Sequence, residues 1–175
     1  MEVAKVLRVP AAFHLVRHLP KGSRSFVSHS KKADKSSMVQ ALALANGIFR
    51  QAAIAFDVDS FGFADVGIDL GVVANLTDGR DAISIRAKRS DKVWTNVFVV
   101  GELLNHSRTN GTTFEKKDVI IGDHKDGYAF AITLAHELGH VLTLGHVQPD
   151  PRTRHFVRKD GNVTVSHWNE NESSG

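Results

Sequence analysis

The feature that most constrains this chain is an eleven-residue segment, HELGHVLTLGH, which holds three histidines and one glutamate. On an α-helix, His136 and His140 lie four residues apart and therefore on one face, where both imidazoles can reach a single metal ion. Glu137 follows the first histidine directly, so its carboxylate can lie beside a metal-bound water and act as a general base. The segment therefore predicts a zinc site that activates water.

The third histidine of the segment sets a limit on the length of the helix. In a continuous helix, His146 would lie roughly 9 Å further along the axis than His140 and about 240° around it. The helix must therefore end before His146 if that residue is to bind the same ion. Gly145 is the residue best suited to a positive φ, so we expect the chain to turn there. Three neutral imidazoles would leave one tetrahedral position open for water, as in catalytic zinc sites.

The segment resembles the signature of the metzincin zinc metallopeptidases, H-E-x-x-H-x-x-G-x-x-H/D. It matches at His136, Glu137, His140 and His146, and it departs at Thr143, where the family has glycine. A β-branched residue tolerates a positive φ poorly, which favours a turn that is shifted to Gly145 or distorted. The resemblance implies a zinc-dependent endopeptidase with Zn²⁺ as cofactor, the three histidines as ligands and the glutamate as general base.

Length and composition limit the number of domains and the kinds of partner that the chain can have. A chain of 175 residues with 42% apolar content is enough for one domain with a sizeable core, so we expect a single domain over 1–175, with an N-terminal subdomain (1–146) and a short C-terminal segment (147–175). The net charge is only +3, and the basic residues are scattered without interleaved aromatics, which does not indicate a nucleic-acid groove. The expected partner of this predicted monomer is a peptide or protein substrate, with no nucleic acid and no membrane.

The absence of cysteine excludes a disulfide framework and a thiolate metal site. The first residues lack a long apolar segment followed by a cleavage site, so no signal peptide is expected. The residues alone leave the compartment open, and the metzincin resemblance favours a secreted or extracellular protein.

The first half of the chain predicts a strand followed by a long helix. Residues 11–18 are apolar and partly alternating, which is typical of a strand, and we interpret His14 and His18 as strand residues and not as ligands. From Asp34 to Phe56, apolar residues recur at three- and four-residue spacing, which predicts one amphipathic helix capped by Asp34 or Ser36. A glycine inside that helix, at position 47, costs about 1 kcal/mol relative to alanine unless it allows close packing.

The second half predicts several strands and then the helix that carries the histidines. Strands are expected at 61–73, 82–87, 94–100 and 118–123, and the helix from Tyr128. The class is α+β. The order resembles the metzincin N-terminal subdomain and implies a twisted, mostly parallel sheet, a long packing helix, an active-site helix and a short C-terminal subdomain. In that family the substrate lies extended and antiparallel to the edge strand of the sheet, which we place between Ser107 and Glu115.

The C-terminal segment departs from the family. The only methionines are Met1 and Met38, so the methionine turn that metzincins place beneath the metal is absent. Two other interpretations stay open: a zincin in which a downstream glutamate replaces His146, or a catalytically silent, zinc-stabilised binding module. Residues after His146 that bear on these alternatives are His155 and His167 as rival ligands, Glu170 and Glu172 as replacement ligands, and His167 or Trp168 as the floor of the site.

Overall fold

A computed structural model describes residues 5–105, 110–123 and 127–145, together with the backbone of two strands at 154–159 and 162–167. The chain divides into two compact units, Met1–Leu144 and Gly145–Gly175. The elements of the first unit are β1 (Leu7–His18), β2 (Val27–Ser28), α1 (Lys35–Phe49), a 3₁₀ turn (Arg50–Ala52), β3 (Ile54–Val66), β4 (Val73–Asn75), α2 (Arg80–Arg86), β5 (Thr95–Val100), β6 (Glu102–Leu104), β7 (Gly111–Phe114), β8 (Asp118–Gly122) and α3 (Gly127–Val141). The second unit contains an antiparallel strand pair, β9 (Arg154–Lys159) and β10 (Asn162–His167).

The first unit is built on a six-stranded mixed sheet. Its strand path is β2-β1-β5-β8-β7, and β3 also pairs with β1. The β1/β3, β1/β5 and β5/β8 pairs are parallel, whereas β2 on β1 and β7 on β8 are antiparallel. The predicted α+β class is therefore confirmed, as a mixed sheet with three α-helices among the described residues. The strand at the end of the path, β7, lies within the stretch predicted to hold the edge.

Two apolar clusters lie on opposite faces of this sheet. One contains alternate residues of β1, β5 and β8 packed against α1 and α3. The other contains the intervening strand residues together with residues of α2, β4 and the end of β3. Every residue of β5 is buried, as its nearly continuous apolar sequence predicts for a strand covered on both faces. Among the described residues, no helix has the length and apolarity needed to cross a bilayer.

The long helix begins as predicted and ends earlier. Asp34 caps α1: its carboxylate accepts from the backbone N–H of Ser37, and the Ser37 hydroxyl accepts from the backbone N–H of Asp34. The prediction that the helix continues to Phe56 is wrong, because Ala53 adopts a left-handed conformation with φ of 53° and β3 begins at Ile54. Around Ile54 and Phe56 the apolar spacing fits a strand as well as a helix, and pairing with β1 decides for the strand.

The strand predicted at 82–87 is also wrong, because this stretch forms α2. Ile83 and Ile85 alternate in the sequence, which suggested a strand. In the helix the buried apolar pair is instead Ala82 and Ile85, three residues apart on one face, while Ile83 is 67% exposed. Burial against the second cluster therefore selects the helical period over the alternating one.

Candidate metal centre

The helix that carries the histidines is held by its apolar face. Buried residues of α3 that pack on the first cluster are Phe130, Ala131, Leu134, Ala135, Leu138 and Val141. His136 lies exposed and His140 half-buried on the other side of the helix. The four-residue spacing that keeps both histidines on one face therefore also keeps them accessible to a metal ion from solvent.

The two imidazoles converge through their Nε2 atoms. His136 Nε2 and His140 Nε2 lie 3.1 Å apart, and the rings are perpendicular with centroids 4.7 Å apart. His140 Nδ1 lies 2.8 Å from the carbonyl oxygen of Leu144. Because a carbonyl oxygen only accepts, Nδ1 carries the proton and donates, and the neutral ring keeps its lone pair on Nε2. A metal-binding histidine is commonly held in this way, so the pair fits the donor set that zinc prefers.

The helix ends before His146, and the turn lies at Thr143. Thr143 has a φ of 67°, its N–H donates to the His140 carbonyl at 3.0 Å, and the N–H of Leu144 donates to the Gly139 carbonyl at 3.0 Å. These two bonds define a Schellman motif with Thr143 in the left-handed position. The expectation of a turn at Gly145 is wrong, since Gly145 is not among the residues with positive φ.

The terminal bonds explain why a threonine is held in a strained conformation. They satisfy carbonyl groups of the last helical turn that would otherwise lack partners, and they require a left-handed residue at the position where they fall. That position is Thr143, the place where the metzincin signature has glycine. The same turn brings the Leu144 carbonyl to His140 Nδ1.

The glutamate of the motif is directed towards the edge strand. Glu137 is only 3% exposed, and its Oε2 accepts a hydrogen bond from the Thr113 hydroxyl of β7 at 2.6 Å. Gly111, two residues earlier on β7, lies so close that an added Cβ would be 2.7 Å from Glu137 Cγ and 2.9 Å from Oε1. Sequence reasoning missed both β7 residues. The one available signal was their alternate spacing in the predicted edge strand.

The histidines of β1 are strand residues, as predicted. His14 lies stacked on Phe98, and its Nε2 is 3.0 Å from the side-chain oxygen of Asn96. His18 Nδ1 accepts from the backbone N–H of Leu70 at 3.2 Å. Both rings are buried and engaged on the sheet face opposite to α3.

The predicted third ligand, His146, lies outside the described residues, as do the side chains of the rival and replacement ligands at positions 155, 167, 170 and 172 and the possible floor residue at 168. Within residues 5–105, 110–123 and 127–145, no three His, Cys, Asp or Glu side chains form a group that could hold a metal ion. The described part of the chain therefore brings together two of the three predicted ligands, and the third stays a prediction.

No protein-family model matches this chain, and no curated protein matches it significantly. Its function is therefore inferred from the chemistry of the residues described above.

Proposed function

We propose that this chain is a zinc-dependent endopeptidase in which His136, His140 and His146 hold Zn²⁺ and Glu137 is the general base. The observation that carries the proposal is the convergence of the His136 and His140 Nε2 atoms at 3.1 Å, with the His140 tautomer set by the Leu144 carbonyl. Bound there, Zn²⁺ would bring the pKa of a water towards neutrality and polarise the scissile carbonyl. The metzincin signature adds His146 to the ligand set.

Glu137 supplies the proton transfer in this proposal. Its carboxylate takes a proton from the attacking water and delivers it to the leaving amine nitrogen, so that one side chain serves both halves of the reaction. The hydrogen bond from Thr113 and the close approach of Gly111 support this role, because they hold in one place the carboxylate of the residue that directly follows His136.

The substrate is expected to bind along β7. This strand lies at the end of the sheet path and is antiparallel to β8. In the metzincins, which the chain resembles, an extended peptide lies antiparallel to such an edge. Main-chain hydrogen bonds would then provide affinity, and pockets for alternate side chains would provide specificity. The order of elements in the first unit, with a strand and a long helix before further strands and α3, supports the metzincin-like fold that we propose.

Metal analysis and cleavage of a peptide library, carried out on the same preparation, test this function. We expect one zinc per chain and cleavage that a chelator abolishes. Glu137→Gln should keep the zinc and lose at least about 100-fold in rate, because general-base catalysis contributes that much or more. A Glu102→Gln variant is the matched control, since this exposed glutamate lies on β6.

The ligand set is tested by zinc affinity. His140→Ala and His146→Ala should each weaken zinc binding, whereas His155→Ala and His167→Ala should not. If Glu170→Ala or Glu172→Ala weakens binding and His146→Ala does not, the third ligand is a carboxylate and the proposed set is wrong. Stoichiometric zinc with no cleavage of any library member would instead identify a silent, metal-stabilised module.

A further inference from the structure

The contact between β7 and Glu137 involves one hydroxyl group and two atoms of the same glutamate. Thr113 Oγ1 lies 2.6 Å from Glu137 Oε2 and 3.0 Å from the Glu137 backbone carbonyl. The strand therefore contacts both the end of the side chain and the helix backbone from which it projects. A flexible glutamate held at both points has little freedom to rotate.

Strand alternation places Gly111 beside Thr113 on the face of β7 that meets α3. A Cβ at Gly111 would lie 2.7 Å from Glu137 Cγ and 3.0 Å from Cδ, closer than packed atoms approach. The carboxylate is therefore confined by a hydrogen bond from one residue and by the backbone of another. Phe114, on the opposite face of β7, packs against the second cluster, and the Arg86 guanidinium lies 4.9 Å from its ring centroid.

From this geometry we propose that Thr113 is a positioning residue for Glu137. The proposal rests on the proposed function, in which this glutamate is the general base. Thr113 contacts the carboxylate of the general base and does not itself transfer a proton. Its hydroxyl keeps the carboxylate in one orientation before substrate binds. The entropic cost of ordering this side chain therefore does not add to the activation barrier. Gly111 provides the space in which that orientation fits.

The location of Thr113 on β7 has a consequence for substrate binding. If the peptide adds to this strand, one element both receives the substrate and holds the base, so the register between peptide and carboxylate depends on β7 alone. A loss of the hydroxyl should then reduce turnover and leave the main-chain contacts that determine binding intact.

The test compares Thr113→Val with Thr113→Ser in the full zinc-loaded chain, with a peptide that the wild-type chain cleaves. Thr113→Val removes the hydroxyl and keeps the shape, and we expect kcat to fall about 10-fold to 100-fold, as for other residues that support a catalytic group, with KM and zinc content within twofold of wild type. Thr113→Ser should restore most of kcat. Thr95→Val is the matched control, because Thr95 is a fully buried threonine whose hydroxyl has no hydrogen-bond partner among the described residues.

Three kinetic results would overturn the proposal: wild-type kcat in Thr113→Val, an equal loss in the valine and serine variants, or a change confined to KM. Crystal structures of both variants provide a readout that does not depend on activity. We expect the Glu137 carboxylate to leave its place beside residue 113 in Thr113→Val and to keep it in Thr113→Ser. If the carboxylate is unmoved in the valine variant, the positioning role is rejected. If it moves as expected but the wild-type chain cleaves no peptide, the positioning role stands and the proposed function fails.

Discussion

His140 Nδ1 and the carbonyl oxygen of Leu144 are 2.8 Å apart, and this contact links the end of a helix to the tautomer of a proposed metal ligand. The Leu144 carbonyl reaches the ring because the chain reverses at Thr143, immediately after the last turn of α3. By accepting the Nδ1 proton, it leaves the His140 Nε2 lone pair directed towards His136. The turn therefore terminates the helix and also selects the histidine tautomer that can bind a metal.

Thr143 is predicted to reduce the stability of the chain. A β-branched residue at a φ of 67° is strained, and glycine relieves that strain at the cost of a more flexible unfolded chain. Thr143→Gly should therefore raise the free energy of unfolding by about 1 kcal/mol. Thr143→Asn should give a smaller gain and Thr143→Val none, because asparagine tolerates this region and valine does not. Urea unfolding of the three variants measures the series, and a loss of stability in the glycine variant would contradict the assigned strain.

Substitution by alanine should change the stability of the chain in opposite directions at two of its glycines. Gly47 lies inside α1, and a Cβ added there meets no atom within 4 Å, so no close packing requires it and Gly47→Ala should stabilise the chain by about 1 kcal/mol. At Gly101, an added Cβ would lie 2.4 Å from the backbone oxygen of His29. Gly101→Ala should therefore destabilise the chain by about 1 to 3 kcal/mol. Thermal unfolding of both variants checks the pair, and equal effects would show that the close approach at Gly101 is not rigid.

The sequence predicts best where local signals are strong. The buried strand β5 and the helix that carries His136 and His140 each have a pattern with one interpretation, and the structure agrees with both. The sequence narrows the start of α1 to Asp34 or Ser36, and the structure has Asp34 as the cap. The pattern at 82–87 has two interpretations, because Ile83 and Ile85 alternate as in a strand, whereas Ala82 and Ile85 have the three-residue spacing of a helix. There the choice of helix depends on which residues the second cluster buries, and a local pattern does not contain that information.

The residues of the candidate site also fall into two groups, those that a local pattern predicts and those that depend on the tertiary fold. The spacing of His136, Glu137 and His140 within one helix is visible in the sequence because a helix fixes the directions of its own side chains. Thr113 and Gly111 are more than twenty residues away, and their contact with Glu137 depends on the pairing of β7 with β8. Residue preference predicts the turn at Gly145, because glycine adopts a positive φ most easily. The terminal hydrogen bonds of the helix instead determine its position, which is Thr143.

Acid should destabilise the chain below the ordinary pKa of histidine, 6.5. Burial lowers the pKa of His14, although the bond to Asn96 opposes this, and burial together with neighbouring His18 lowers the pKa of His29. A lowered folded-state pKa means that the unfolded chain binds more protons below pH 6.5, so stability is complete above that value and is lost as the pH falls.

Unfolding by urea at pH 7.5, 6.5 and 5.5, in the presence of a chelator, measures this dependence. Hydrogen bonds hold the pKa values of Asp34 and Asp69 below their ordinary range, so these carboxylates titrate at lower pH and do not contribute in this interval. The variant with both His14→Gln and His29→Asn keeps polar groups at Nε2 and Nδ1 but cannot titrate, and its slope should be flatter than that of the wild type. An unchanged slope would assign the effect to other groups.

Arg86 should be essential for stability because it neutralises a buried carboxylate. Asp118 is fully buried and its Oδ2 lies 3.1 Å from Arg86 Nε, while Glu115 lies 2.5 Å from the same guanidinium. Burial alone would lower the pKa of Arg86, but these two bonds outweigh it and raise the pKa. Arg86→Met should therefore cost about 3 to 5 kcal/mol, since among the described residues it leaves the buried Asp118 carboxylate with one ion-pair partner, Arg89 at 3.8 Å.

Adding Asp118→Asn to Arg86→Met should recover part of that loss, because the amide carries no charge that needs a partner. Equilibrium unfolding of both single variants and the double variant gives the coupling energy between the two sites. We expect the double variant to be more stable than Arg86→Met alone. Additive losses would instead mean that Arg86 stabilises the chain mainly through its packing over Phe114 and its bond to Glu115, and that the buried Asp118 is compensated by other groups.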